Sequence, residues 1–171
     1  MIVRLTHDEF LHAAYIGLRR RALSIDKDYE AKYGQQKYDL GKLLWQNVSG
    51  ALGEKVVAKG FNRYWLEQVG IDPKAPDVEP NIEARYVGTP LYGMPYRRSD
   101  DDSGKSDRPY VMVIANGDHP FKFRIPGWLF GHEMKNEDWF LDPDKRGHKA
   151  YFAPMDKLHP PAALVEYLKD K

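Results

Sequence analysis

The chain contains no cysteine, which excludes disulfides and thiolate metal sites from its chemistry. Nor does it hold an apolar run near the ~18 residues that a bilayer span requires. Its first residues, Met1 to Asp8, show no basic segment leading into a long apolar stretch, so no secretory signal is read and a cytoplasmic setting is expected. Charge of one sign is also missing: 26 basic residues face 25 acidic ones, for a formal net charge of +1. Bulk electrostatics therefore supplies no attraction to nucleic acid, and any such binding must come from local patches. No internal repeat is visible. A length of 171 residues suits one domain, taken as 1–171, with 42% hydrophobic residues to build its core and 30% charged residues to keep it in water.

Two helices open the pattern. Thr6 and Glu9 stand at capping-box spacing, predicting a helix to about Leu23 with Phe10, Ala14, Leu18 and Ala22 on one side. Arg19, Arg20 and Arg21 fall near its expected end, where cations suit the helix dipole and a solvated role is expected; the alternative is phosphate contact. Residues 26–39 read as a polar, tyrosine-dotted connection. A second helix is expected over 40–59, with Leu44, Val48, Ala51 and Leu52 as its buried stripe. Strands are expected at 82–87, 91–97, 110–115 and 121–128, the third so apolar that it reads as central and buried on both faces. Residues 99–107 read as a polar hairpin tip. Helical or irregular structure should follow to Phe140, then a short strand at 150–153 and a terminal helix from Pro161 to about Lys169. The fold class expected is α/β, a central mixed β-sheet flanked by helices.

Chemistry concentrates between Glu54 and Arg85. Glu83 and Arg85 are two apart on a predicted strand and so share one sheet face. Six extended residues separate Asp77 from Glu83 by about 20 Å, whereas two oxygens on one Mg2+ lie within about 4 Å. Asp77 can join Glu83 only if residues 78–81 reverse the chain, and Pro80-Asn81 is suitable turn chemistry. Glu54 lies at the margin of the second helix's apolar stripe and is expected to face the sheet, where a carboxylate requires pairing, protonation or a cation. A structural ion pair of Arg85 with Glu54 or with Glu83 is the other account of the same residues.

A helix glutamate, then Pro76-Asp77, then Glu83-Ala84-Arg85 on a strand, followed by a central strand, resembles the PD-(D/E)xK nuclease superfamily in order. The segments 50–59, 108–113 and 123–128 extend the resemblance, over about residues 40–155, to uncharacterised phage-type proteins. What it implies is a restriction-endonuclease-like core and Mg2+ (or Mn2+) held by Asp77 and Glu83 with Glu54 assisting. The partner implied is nucleic acid, DNA above all, and the reaction phosphodiester hydrolysis. This sequence departs from the pattern at Arg85, where the superfamily has lysine. Arginine stays protonated and cannot act as a base, though it can bind phosphate. Two functions follow: a Mg-dependent nuclease, or a non-catalytic nucleic-acid-binding or assembly protein on the same scaffold.

Other motifs are weaker. The six histidines, His7, His12, His119, His132, His148 and His159, show no zinc-protease spacing, and Ser49 and Ser99 have no base nearby. Lys122, Arg124, Arg146 and Lys149 are candidates for a phosphate-binding face. Basic residues beside aromatics, at 95–98 and 121–124, suit either a nucleic-acid groove or ordinary strand faces. Trp65, Trp128 and Trp139 are expected in the core.

Overall fold

The computed structural model describes residues 1–25, 40–70, 72, 74–88, 91, 93–117, 119–142 and 149–170. Strand β1 (Ile2–Arg4) precedes helix α1 (His7–Ile25) and helix α2 (Leu40–Gly60). Then come β2 (Glu83–Tyr86), β3 (Met94–Tyr96), the short helix α3 (Arg98–Asp102) and β4 (Pro109–Ala115). After these follow β5 (Lys122–Arg124), β6 (Trp128–Phe130), β7 (Phe140–Leu141), β8 (Ala150–Ala153) and α4 (Pro161–Tyr167). The mixed α/β class expected from the sequence is what the chain adopts.

The apolar run at 110–115 explains the architecture. Strand β4 is the centre of a five-stranded sheet, paired in parallel with β2 and antiparallel with β5 and β6. Val111 and Val113 face a core shared with α1, α2 and α4, while Tyr110, Met112 and Ile114 face a second core. That second core is closed by a three-stranded sheet of order β3-β8-β7. Helices, large sheet and small sheet thus form three layers, and β4 is buried from both sides. The expected strand over 121–128 is broken into β5 and β6 around Pro126, and β1 adds an edge strand that the alternation did not reveal. Trp65 and Trp128 are buried in the helix-side core, and Trp139 packs partly buried against the other.

Helix α1 begins as its capping box predicts: Thr6 N donates to Glu9 Oε2 at 2.7 Å and Glu9 N to Thr6 Oγ1 at 3.2 Å. Its buried side differs from the expected one. Ala13, Ile16, Gly17 and Arg21 turn inward, whereas Leu18 and Ala22 are exposed. Gly17 sets this rotation: a Cβ there would stand 2.5 Å from Val48 Cα, so the α1–α2 crossing closes only on a glycine. The helix also runs past the arginine triplet to Ile25, so these arginines do not sit in its last turn.

Candidate functional site

Strand β2 is an edge strand, and its alternation splits the predicted cluster. Glu83 and Arg85 pair in register with Tyr110 and Met112, whose side chains belong to the core away from the helices. Ala84 and Tyr86 face α2, which approaches closely because Gly53 has no side chain to meet Tyr86. Glu54 therefore lies on one side of the sheet and the Glu83–Arg85 pair on the other. Of the two ion pairs that the structural account allowed for Arg85, the one with Glu54 therefore does not form, and the one with Glu83 does.

Asp77 sits at the edge between them. The chain reverses as that position requires: Val78 N donates to Ile82 O at 3.0 Å, Ile82 N returns the bond at 2.8 Å, and the Glu79–Pro80 peptide is cis. Asp77 Oδ2 accepts the outward N–H of Ala84 at 2.8 Å, capping a donor that the edge strand would leave unpaired. Its negative charge reaches both Glu54 and Glu83.

Each acid stands beside at least one cation. Arg20 clamps Glu54 through both terminal guanidinium nitrogens, Nη1 to Oε1 at 2.6 Å and Nη2 to Oε2 at 2.7 Å, while Trp65 Nε1 adds a bond to Oε2 at 2.9 Å. Arg20 Nε also donates to Gln68 O at 2.6 Å. This arginine was expected in solvent; the rotation of α1 brings it inward instead. Burial, then the charge of Asp77, raises the Glu54 carboxyl above its ordinary value against the pull of Arg20 and Trp65.

Glu83, with 1% of its surface exposed, accepts from Arg108 Nη1 at 2.7 Å and Lys105 Nζ at 3.0 Å. Both cations continue to the loop before Asp77, Lys105 donating to Ala75 O at 3.2 Å and Arg108 to Lys74 O. Burial and then Asp77 push the Glu83 carboxyl up as well, opposed by Arg85 and Lys105. Arg85 Nη1 stands 3.7 Å from Asp77 Oδ2 and 3.9 Å from Glu83 Oε2, between the two carboxylates. Its Nη2 donates to Asp100 Oδ1 at 3.0 Å, and its guanidinium lies over the Tyr110 ring at 4.7 Å. Burial would lower the Arg85 pKa, but Asp100, Asp77 and Glu83 together raise it.

The segment expected to be a polar hairpin tip, 99–107, thus folds inward and supplies two of the partners, Asp100 and Lys105, and Arg108 directly after it supplies a third. Four acids (Glu54, Asp77, Glu83, Asp100) meet four cations (Arg20, Arg85, Lys105, Arg108), leaving no net charge in the network. Both oxygens of Glu54 and both of Glu83 already accept hydrogen bonds, and Asp77 Oδ2 accepts one from the Ala84 backbone N–H. The donor set as arranged does not fit a divalent ion, which needs free carboxylate oxygens converging on one point. Among the described residues, no group of three or more acidic, histidine or cysteine side chains is placed to hold a metal.

The remaining candidates disperse. Lys122 and Arg124 belong to β5 of the large sheet, whereas Lys149 lies beside the small sheet, over Phe140. Arg146 and His148 fall outside the described residues. Tyr96 is buried against Tyr110, and Phe123 lies in the helix-side core, the ordinary strand-face role. Among the described residues no helix is long and apolar enough to cross a membrane. No protein-family model, curated protein or solved structure matches the chain.

Proposed function

We propose that this chain is a non-catalytic assembly protein, one that works through protein contacts, with the Glu54–Arg85 region as a structural ion-pair network. A cytoplasmic setting belongs to the same proposal. One observation carries it: the acids that would recruit a metal and the cations that would recruit phosphate are spent on each other. With a net charge of +1 there is no compensating bulk attraction to nucleic acid.

A metal-dependent nuclease is the second reading, and Lys105 favours it. The amino group absent from position 85 is supplied next to Glu83 from another segment, 3.0 Å away. Incubating single-stranded, duplex and branched DNA with Mg2+ or Mn2+ separates the two. The assembly reading expects no cutting and no salt-sensitive DNA binding. Cutting by the wild type that disappears in both Asp77→Ala and Glu83→Ala would replace it with the nuclease.

A further inference from the structure

The rotation that buries Gly17 leaves an apolar stripe on the outside of α1. Leu11, Tyr15 and Leu18 are 51%, 56% and 45% exposed, and Ala22 is exposed beside them. Their spacing of four, three and four residues places all of them within about 60° of one line along the helix. The opposite side of α1 is already occupied by α2, so this is a second apolar face on one helix. Such a 4-3-4 repeat is the seam of helix-on-helix packing.

Charges along the stripe select the partner. Asp8 and Arg19 lie on the same flank, near opposite ends. Among the described residues, Asp8, fully exposed, has only His7 as an ionic neighbour, at 3.8 Å, and Arg19 has no acidic partner, resting over the Tyr15 ring at 5.7 Å. A two-fold axis that sets two copies antiparallel keeps the same flank together and brings Asp8 of each toward Arg19 of the other. With the axis midway between Leu11 and Leu18, the two differ in height by only ~3 Å, within an arginine's reach. The same axis places Leu11 across from Leu18 and the two Tyr15 rings together. A two-fold running parallel to the helices would instead put the two charged flanks on opposite sides of the seam and leave Asp8 and Arg19 unpaired.

We propose that α1 docks antiparallel on α1 of a second copy of the chain through Leu11, Tyr15, Leu18 and Ala22, with reciprocal Asp8–Arg19 pairs. This rests on the assembly reading and names its partner. Sedimentation equilibrium over a wide concentration range is the test. The wild type should rise from one to two chain masses, and Leu18→Glu should remain at one while keeping the wild-type circular dichroism and, at dilutions where both are single chains, the wild-type melting temperature. Asp8→Arg and Arg19→Asp should each weaken association about tenfold, the change that ~1.4 kcal/mol produces, and the double variant should recover it. A wild type that stays at one chain mass overturns the proposal, as does a dimer indifferent to Leu18→Glu. A double variant no better than either single one overturns the antiparallel arrangement. The monomer result would leave the assembly reading standing with another partner, whereas metal-dependent DNA cutting would remove that reading whatever the mass.

Discussion

Replacing Arg20 with methionine keeps most of the aliphatic volume and removes the guanidinium that clamps Glu54. What remains is a carboxylate whose side chain is 9% exposed, held by the Trp65 N–H alone. Breaking a buried pair from one side destabilises by about 3–5 kcal/mol, because the other charge is left uncompensated. Protonation limits that loss. Carrying a carboxyl of ordinary value 4.5 neutral at pH 7 costs about 3 kcal/mol at most, less by whatever the already raised wild-type carboxyl gives up. In a chain of this length the melting temperature should fall by about 6–12 °C. The sign of the pH dependence follows from the raised carboxyl. A group raised in the folded state contributes stability that is complete below its unfolded value and lost as pH rises through its folded value. Arg20→Met should therefore lose most at neutral pH and well under about 1 kcal/mol at pH 5. Urea denaturation at both pH values measures this, and Arg20→Met combined with Glu54→Leu should recover part of the loss by removing both charges. A loss below about 1 kcal/mol at pH 7, or the same loss at pH 5, would show that water already solvates Glu54 and that the clamp contributes nothing of this kind.

Three further outcomes follow from the same packing. Glu83→Ala should destabilise by about 3–5 kcal/mol in chemical denaturation, since Lys105 and Arg108 would both lose a buried counter-charge, and Glu83→Gln should lose less by retaining an acceptor. Gly17→Ala should destabilise by about 1–3 kcal/mol, although alanine improves helix propensity, because the obstacle at Val48 Cα is backbone and the helices must separate. At Glu133, burial would raise the carboxyl, but the bonds from His159 Nε2 at 2.9 Å and Phe130 N at 2.7 Å hold it below its ordinary value. Its contribution is present above the unfolded value and lost as pH falls through the lower folded one, so the melting-temperature gap between wild type and Glu133→Leu should close in acid below about pH 4.

What was readable in the sequence was local. Thr6 and Glu9 reported a helix start because a capping box closes over four residues, and residues 110–115 reported a doubly buried strand because no other element holds so many consecutive apolar side chains. The three layers were not readable. Met94–Tyr96 and Ala150–Ala153 pair across more than fifty residues, and nothing within either segment states that they leave the large sheet to build a second one. The face of α1 was misread for a related reason. Phe10, Ala14, Leu18 and Ala22 are a valid helical stripe, but the closer contact is made by the residue with no side chain, and Gly17 carries no hydrophobicity for a periodicity to detect.

The same reasoning separates the acids from their partners. Glu54, Asp77 and Glu83 stood out because carboxylates beside apolar residues are anomalous. Arg20, Asp100, Lys105 and Arg108 sit among other polar residues, where nothing local distinguishes an inward charge from a solvated one. A dense charged segment directly before a fully buried strand is the signal that could have drawn attention to Lys105 and Arg108. Once all eight groups are assembled, their position explains their presence without chemistry. Strand β2 is the open edge of the large sheet, and an open edge invites pairing with other chains. Asp77 occupies its outward N–H, Lys105 and Arg108 tie the 74–77 loop against it, and Glu83 and Arg85 place charge at the face another strand would have to cover. A network that closes this edge must be neutral inside and fully bonded, since any unpaired member would be a buried charge. A metal centre must keep ligands free. The geometry meets the first requirement, and under the assembly proposal it leaves the uncovered side of α1, rather than β2, as the surface for a partner.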